Sequence, residues 1–120
     1  MARLTLRVDF AAGQSIGHGK IRLLEAVRDQ GSIAAAGRSM RMSYRRAWLL
    51  IDALNALFAQ PVIATKHGGP AGGGAYLTPF GHRLVEHYRA IEQKAAHAAA
   101  ADLAELEAAT TRPDPVAARL

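Results

Sequence analysis

The spacing of hydrophobic positions changes along this chain, and each spacing predicts a different element. Residues 4–10 alternate hydrophobic with polar side chains, which is typical of a half-buried strand. Residues 11–19 contain three glycines and are expected to form a loop. From Lys20 the hydrophobic residues recur every three to four positions, which predicts an amphipathic helix that ends at Gly31.

Two further helices joined by a tight turn are predicted after this glycine. Ser32 is a favourable N-cap, and the Ala34–Ala36 run that follows lets another helix approach closely. The turn is Met40–Met42, and Ser43 caps the next helix. The positions of that helix predicted on its core face are Ala47, Trp48, Ile51, Leu54 and Phe58. Those predicted on its other faces are Tyr44, Arg45, Arg46, Leu49 and Asp52.

The second half of the chain predicts a hairpin and one long helix. Two β-rich segments, 62–66 and 75–77, flank a glycine-rich tip, and the pair Thr78–Pro79 is a strong helix start. The helix is predicted to span 79–109, with residues 110–120 as a frayed tail. Its second half is too polar and alanine-rich to cover a core, which is typical of a dimerisation arm. The predicted interface residues are Leu84, Tyr88, Ile91, Ala95, Ala99, Leu103 and Leu106.

Together these elements predict a mainly α fold with a small β component. It is a winged helix-turn-helix over residues 1–78, followed by the long helix.

Charge divides the chain into a basic body and a mildly acidic end. Residues 1–89 contain twelve lysines and arginines against five aspartates and glutamates, whereas residues 90–120 contain three against five. A basic body is typical of a protein that meets a polyanion, although a merely soluble basic protein has the same composition. No cysteine is present, which excludes disulfides and thiol chemistry. Without a long apolar run, we expect a cytoplasmic protein with no membrane partner.

The first turn of the third helix carries the strongest functional signal. A helix that reads DNA presents this turn to the major groove, and here it bears Ser43, Tyr44, Arg45 and Arg46. Cations at a helix N-terminus are unfavourable to the isolated protein, so an external anion explains the two arginines better than a solvated turn does. Tyr44, Arg45 and Arg46 are the candidates for reading bases. Ser32 and Arg41 are candidates for phosphate contacts.

The glycine-rich tip fits a hairpin that lies along DNA phosphates. Lys66 and His67 at its base supply charge, and bare backbone at Gly68 and Gly69 can approach a phosphate closely. The tip lacks the Lys-Ser/Thr pair of a nucleotide-binding P-loop, and the motif at residues 17–19 lacks the third glycine of a dinucleotide site.

Enzyme and metal chemistry find little support in the sequence. His82, Glu86 and His87 do not share one helix face, and the remaining histidines and acids are scattered. We therefore expect no cofactor, no metal and no catalytic residues, and a nucleotide-binding or enzymatic role remains only a minor alternative.

Several ordered motifs resemble one known family. The motifs are Gly17–Ala26, Gly31–Ile33, Ser43–Trp48 and Gly68–Thr78. They resemble the N-terminal DNA-binding domain of ModE-type molybdate-responsive regulators over roughly residues 4–92. The resemblance implies a LysR-like winged helix-turn-helix, a homodimer and a palindromic operator in double-stranded DNA, with a recognition helix that begins at Ser43. Full-length members also carry a molybdate-binding module, and we expect no effector site in this chain.

Two departures from the family pattern affect the proposed DNA contacts. Arg41 stands where a glycine is common in the helix-turn-helix turn, which either adds a phosphate contact or strains the turn. Pro70 and Ala71 replace a usual basic–glycine pair in the wing. The predicted function is a homodimeric, sequence-specific transcriptional regulator in molybdate-related gene control. The alternative is a winged-helix module for protein partners, or a heterodimer partner of a full-length regulator.

Overall fold

The structure, a computed structural model, describes residues 2–69 and 72–111. Within these residues the helices are α1 (His18–Gln30), α2 (Ile33–Ser39), α3 (Tyr44–Leu57), α4 (Pro79–Ala98) and α5 (Ala100–Ala108). The strands are β1 (Arg7–Asp9), β2 (Ser15–Gly17), β3 (Ile63–Gly69) and β4 (Gly72–Leu77). They form two antiparallel pairs, β1 with β2 and β3 with β4. The predicted mainly α fold with a small β component is confirmed. Pro70, Ala71 and most of the predicted tail, 112–120, lie outside the described residues.

One hydrophobic core joins the three N-terminal helices, the β3–β4 hairpin and the first half of α4. The apolar stripe predicted on the first helix is confirmed, because Ile21, Leu24 and Val27 have no exposed surface. The other core residues outside α1 are Ile16, Ile33, Ala36, Ala47, Ile51, Leu54, Val62, Ile63, Ala75, Leu77, Leu84, Val85 and Tyr88. No polar or charged side chain is buried in the described part of the chain. Burial of apolar surface therefore holds the elements together.

The segment predicted as a loop between the first strand and the first helix is more ordered than expected. A 3-10 turn at Ala11–Gly13 leads into β2, whose Ile16 pairs with Val8 of β1. The turn closes because Gly13 has a φ of 75°, in the left-handed region that glycine adopts readily. The loop prediction is wrong here, since glycines that predict a loop also serve the tight turn of a short hairpin.

The predicted helix caps are present. The Ser32 hydroxyl accepts a hydrogen bond from the Ala35 amide at 3.0 Å, and the Ser43 hydroxyl accepts one from the Arg46 amide at 3.1 Å. The Thr78 hydroxyl accepts one from the Gly81 amide at 2.9 Å, directly before Pro79. These caps are local interactions between residues three apart, which explains why the sequence predicted them.

The single long helix predicted for residues 79–109 is two helices. At Ala99 the backbone leaves helical geometry, with φ −94° and ψ 3°, and α5 begins at the next residue. No residue of α5 is buried. Hydrogen bonds of 2.9 Å from the Ala99 amide to the Ala95 carbonyl and from the Leu103 amide to the Ala99 carbonyl still span this position.

Two residues of the predicted dimer interface belong to the core instead. Leu84 is 7% exposed and Tyr88 is 1% exposed in a single chain, so neither side chain is available to a partner. The Tyr88 hydroxyl donates a hydrogen bond of 2.6 Å to the Leu6 carbonyl oxygen, which ties the N-terminal segment to α4. The prediction for these two residues is corrected, because spacing alone cannot distinguish a face that meets its own core from one that meets a partner.

Candidate nucleic-acid interface

The α2–α3 unit has the form of a helix-turn-helix. Small residues meet where the two helices approach, with Ala36 and Ala47 both fully buried. The turn between the helices is closed by the Met42 amide, which donates to the Gly37 carbonyl at 3.0 Å. Arg41 adopts a φ of 56°, a left-handed conformation that costs a non-glycine residue about 1–2 kcal/mol. The turn is therefore strained at Arg41. Strain was one of the two consequences that the sequence analysis expected from Arg41, and a phosphate contact was the other.

The first turn of α3 is open to solvent. Ser43, Tyr44, Arg45 and Arg46 are all exposed, and Tyr44 retains 57% of its accessible surface. The Ser43 cap leaves the remaining amides of this turn free to meet an anion. The predicted exposure of the basic turn is thus confirmed.

The side chains of this turn point to three sides of α3. Tyr44 and Trp48 lie towards the β3–β4 hairpin, and their rings are in an edge-on contact with centroids 6.2 Å apart. Arg46 borders a second groove on the other side, together with Arg7 and Lys20. Helical periodicity of 100° per residue places Arg45 between them, on the side of α3 opposite the buried stripe. The two arginines are therefore not equivalent.

A groove of about 300 Å³ runs between α3 and the hairpin. It brings together three residues that the sequence proposed separately for DNA contacts, namely Ser32, Tyr44 and Lys66. Trp48 also lines the groove and is half-buried, so it contacts the core as predicted while one edge faces outwards. The fold thus gathers candidate DNA contacts from α2, α3 and β3 around one groove.

The β3–β4 hairpin forms the predicted wing and is longer than expected from the sequence. It is docked on the α1–α2 turn by a hydrogen bond of 3.0 Å from the Ala75 amide to the Gly31 carbonyl. A Cβ atom at Gly74 would lie 3.0 Å from that same carbonyl oxygen, so glycine permits the close approach. Lys66 stands over the Tyr76 ring at 5.5 Å. His67, Gly68 and Gly69 lie at the end of β3, where side chains fall outside the structural description.

Asn55 joins α3 to the wing, and the sequence analysis did not predict it. Its side-chain oxygen accepts hydrogen bonds from the amides of Val62 (2.8 Å) and Ile63 (3.2 Å), and its amide group donates to the Ile63 carbonyl at 3.3 Å. These bonds fix the start of β3 against α3. A polar residue at the edge of an apolar helix face was the available signal, but a single asparagine has many other uses.

The cations of this surface take no part in the salt bridges found in the described part of the chain. Among these residues the salt bridges found are those of Arg7, Arg28 and Arg89, and a His18–Glu92 pair at 3.9 Å. None of them involves Arg41, Arg45, Arg46 or Lys66, and no acidic side chain occupies the first turn of α3. The surface therefore presents positive charge that the fold does not neutralise.

The described residues offer neither a metal centre nor a membrane span. They contain no group of three or more histidine or acidic side chains placed to hold a metal ion. Among them, no helix has both the length and the apolar character needed to cross a bilayer.

Comparison with known proteins points in the same direction as this geometry. The chain is 41% identical over 92 residues to the molybdenum transport protein ModE of Azotobacter vinelandii, which covers 77% of this chain and 33% of that protein. It is 46% identical over 80 residues to the molybdenum-pterin-binding protein MopB of Rhodobacter capsulatus, covering 67% and 30%. It is 35% identical over 74 residues to the DNA-binding transcriptional dual regulator ModE of Escherichia coli K12, covering 62% and 28%. This chain is a homologue of the N-terminal region of the ModE regulators.

The homology has defined bounds. The chain spans about a third of the length of the curated ModE and Mop relatives that it matches. No protein-family model matches it. In a crystal structure of the CbnR DNA-binding domain–DNA complex, one chain has a TM-score of 0.58 to this structure at 24% identity, covering 73% of this chain and 95% of that one. This likeness shows the fold, a winged helix-turn-helix.

Proposed function

We propose that this chain is the DNA-binding unit of a transcriptional regulator. The observation that carries the proposal is the surface formed by α3, the wing and the N-terminus of α2, where exposed cations lack salt-bridge partners in the described residues. Arg45 and Arg46 face duplex DNA at the first turn of α3, and Lys66 lies beside the groove next to the wing. Homology to ModE regulators and the winged helix-turn-helix fold support the same function.

The residues divide into two roles on this surface. Tyr44, Arg45 and Arg46 read base edges in the major groove, because the first turn of a recognition helix is the part that enters it. Ser32, Arg41, Ser43 and Lys66 contact phosphates and so set the register of the protein on the duplex. The wing backbone at residues 67–69 follows the neighbouring phosphates.

We also propose that the protein acts as a homodimer on a palindromic operator. On α4 and α5, Ile91 is 44% exposed and Leu106 is 67% exposed, and Ala95, Ala99 and Leu103 are half-buried between them. A partner would cover these apolar side chains. A two-fold dimer then presents two recognition helices to two half-sites, which makes the operator symmetric. Sedimentation of the wild type against Ile91→Asp tests this directly, and a monomeric wild type would contradict it.

The experiment that tests DNA binding uses a randomised duplex pool at two salt concentrations, followed by sequencing of the bound fraction. An enriched palindrome and a steep loss of affinity with salt are expected, because cationic contacts to phosphates release counterions. Salt-sensitive binding without an enriched sequence would instead indicate a general DNA-coating protein. Absence of binding would favour the protein-interaction module.

The regulated genes are proposed from the relatives alone. Their names refer to molybdenum transport and molybdenum-pterin binding, so we propose that this chain serves gene control in molybdenum metabolism. Enriched operators are expected upstream of genes for molybdate uptake or molybdenum enzymes. Their absence from such positions in the genome would contradict the link without affecting the DNA-binding proposal.

A further inference from the structure

An exposed leucine lies in the middle of the proposed DNA-reading face. Leu49 keeps 57% of its accessible surface and is not among the side chains that pack against the core of the described chain. Single exposed hydrophobic residues are common and need no ligand on their own account. The position of Leu49, rather than its exposure, is what indicates a function.

The other large exposed hydrophobic residues of the described chain have partners or belong to a separate surface. Rings pack on Phe10 and Tyr44, and a lysine covers Tyr76. Ile91 and Leu106 lie on the proposed dimer arm. Leu49 has no such ring or lysine partner among the described residues, and it does not lie on the proposed dimer arm.

Leu49 is on the side of α3 that points away from the protein. Its spacing of two from Ala47 and Ile51 turns it to the side opposite the buried stripe. Arg45 precedes it by one helical turn on this outward side, so the two side chains are neighbours. Further along, the exposed positions on this side are Asp52, Ala53 and Ala56, and the two alanines carry small side chains. A ligand that meets this side of α3 therefore meets Arg45 and Leu49 together.

We propose that Leu49 contacts the C5 methyl group of a thymine in the major groove and thereby selects thymine at one position of each half-site. This inference rests on the proposed DNA-binding function. The thymine methyl is the apolar feature that the major groove displays, and an aliphatic side chain recognises it by excluding water. The unneutralised charge of Arg45 and Arg46 on the same helix favours a nucleic acid over a protein as the occupant of this side.

The geometry limits where the thymine lies. One helical turn advances about 5.4 Å, whereas successive base pairs are about 3.4 Å apart. The selected thymine is therefore expected about one or two base pairs from the base that Arg45 contacts.

The test removes the methyl group and the leucine separately. Each thymine of the enriched operator is replaced in turn by deoxyuridine, which lacks only the C5 methyl, and affinities are measured for the wild type, Leu49→Ala and Leu49→Met. The wild type is expected to lose about fourfold in affinity per half-site at one thymine, the value for one buried methyl-sized group. Leu49→Ala is expected to bind thymine and deoxyuridine equally at that position. Leu49→Met keeps a flexible apolar side chain and is expected to retain the sensitivity.

Several outcomes would overturn the proposal. They are a wild type indifferent to deoxyuridine at every thymine, an enriched half-site without thymine, or a Leu49→Ala variant that keeps the full wild-type sensitivity. Because Leu49 is exposed, these variants are expected to fold normally, which circular dichroism and thermal melting check.

Arg45→Ala separates this inference from the function on which it rests. If α3 reads DNA, Arg45→Ala weakens operator binding whether or not the methyl contact exists. Loss with Arg45→Ala but no methyl effect would overturn only the role of Leu49, and a protein partner for that side chain would become the better explanation. No sequence-specific binding by any variant would overturn both proposals.

Discussion

Two faces of this molecule carry arginines in opposite circumstances. Between α1 and α4, Arg89 bonds the Glu25 carboxylate at 2.6 and 3.1 Å and the Glu92 carboxylate at 2.6 Å. On the α3 face, Arg45 and Arg46 are exposed and take part in none of the salt bridges found among the described residues. Arg89 finds its acidic partners within the same chain, whereas Arg45 and Arg46 form no salt bridge with any of the described residues.

The difference separates charge that the fold pairs internally from charge that the proposed DNA contact would pair. The Arg89 bond to Glu25 holds the pKa of that carboxyl below its ordinary value and raises the pKa of the guanidinium. Such mutual stabilisation contributes to the native state. Cations at the positive end of a helix that gain nothing from their own fold are unfavourable to the isolated protein, and the proposed DNA contact would offset this cost. Removing an arginine from each face should therefore affect different measurements.

The largest effect is expected from Arg45→Ala. Losing a base-reading guanidinium should weaken operator binding by about 1–3 kcal/mol per half-site, with relaxed specificity at one position. Thermal stability should be nearly unchanged, because the side chain is exposed. Arg22→Ala, at an exposed position on α1, is the matched control and should bind like the wild type. Equal affinity of Arg45→Ala and wild type would remove α3 from the interface.

Arg89→Met should reverse this pattern. It removes the partner of two carboxylates whose side chains are 24% and 19% exposed, and we expect a loss of about 1–2 kcal/mol in the free energy of unfolding. Denaturant unfolding measures that loss. Operator affinity measured well below the melting temperature should be unchanged. A selective loss of DNA binding with normal stability would place Arg89 in function and end the contrast between the two faces.

Arg41→Gly is expected to change both the stability of the fold and the affinity for DNA. Glycine relieves the left-handed backbone of the turn and should raise stability by about 1 kcal/mol. The same change deletes a proposed phosphate contact, so affinity should fall about equally on all sequences and the salt slope should decrease by about one for each half-site. Arg41→Asn, which tolerates this backbone but lacks the charge, should behave similarly in binding. Wild-type salt dependence in both variants would show that Arg41 makes no phosphate contact.

The smallest effect concerns pH. Because the folded-state pKa of Glu25 lies below its ordinary value of 4.5, its contribution to stability is present above pH 4.5 and is lost as the pH falls through the folded-state pKa. Arg89→Met should flatten the stability profile in this acidic range. Unfolding measured from neutral pH downwards on both proteins tests this, and parallel profiles would mean that the pair contributes nothing measurable.

The features predicted correctly from the sequence are those that depend on neighbours along the chain. The caps at Ser32, Ser43 and Thr78 bond residues three positions away, and the buried stripes of α1 and α3 follow helical periodicity. The exposed basic turn of α3 follows from the same periodicity. Local hydrogen bonds and a repeating apolar face need no knowledge of the rest of the fold.

The errors concern contacts between distant segments. The pairing of β1 with β2 required a short glycine-assisted turn that resembles a loop in the sequence. Leu84 and Tyr88 follow the same spacing as Ile91, yet the core of the chain itself covers only the first two. The hydrogen bonds of Asn55 to the start of β3 likewise depend on how α3 and the wing meet.

The sequence by itself determined most of the elements, their caps and the basic character of the first turn of α3, because each depends on residues within one or two turns. Only the tertiary structure decided which apolar faces remain open and which cations remain unpaired. Arg45 and Arg89 are the same residue on amphipathic helices, and no local pattern distinguishes them. Glu25, 64 residues before Arg89, neutralises it, whereas the fold brings no such acid to Arg45 among the described residues.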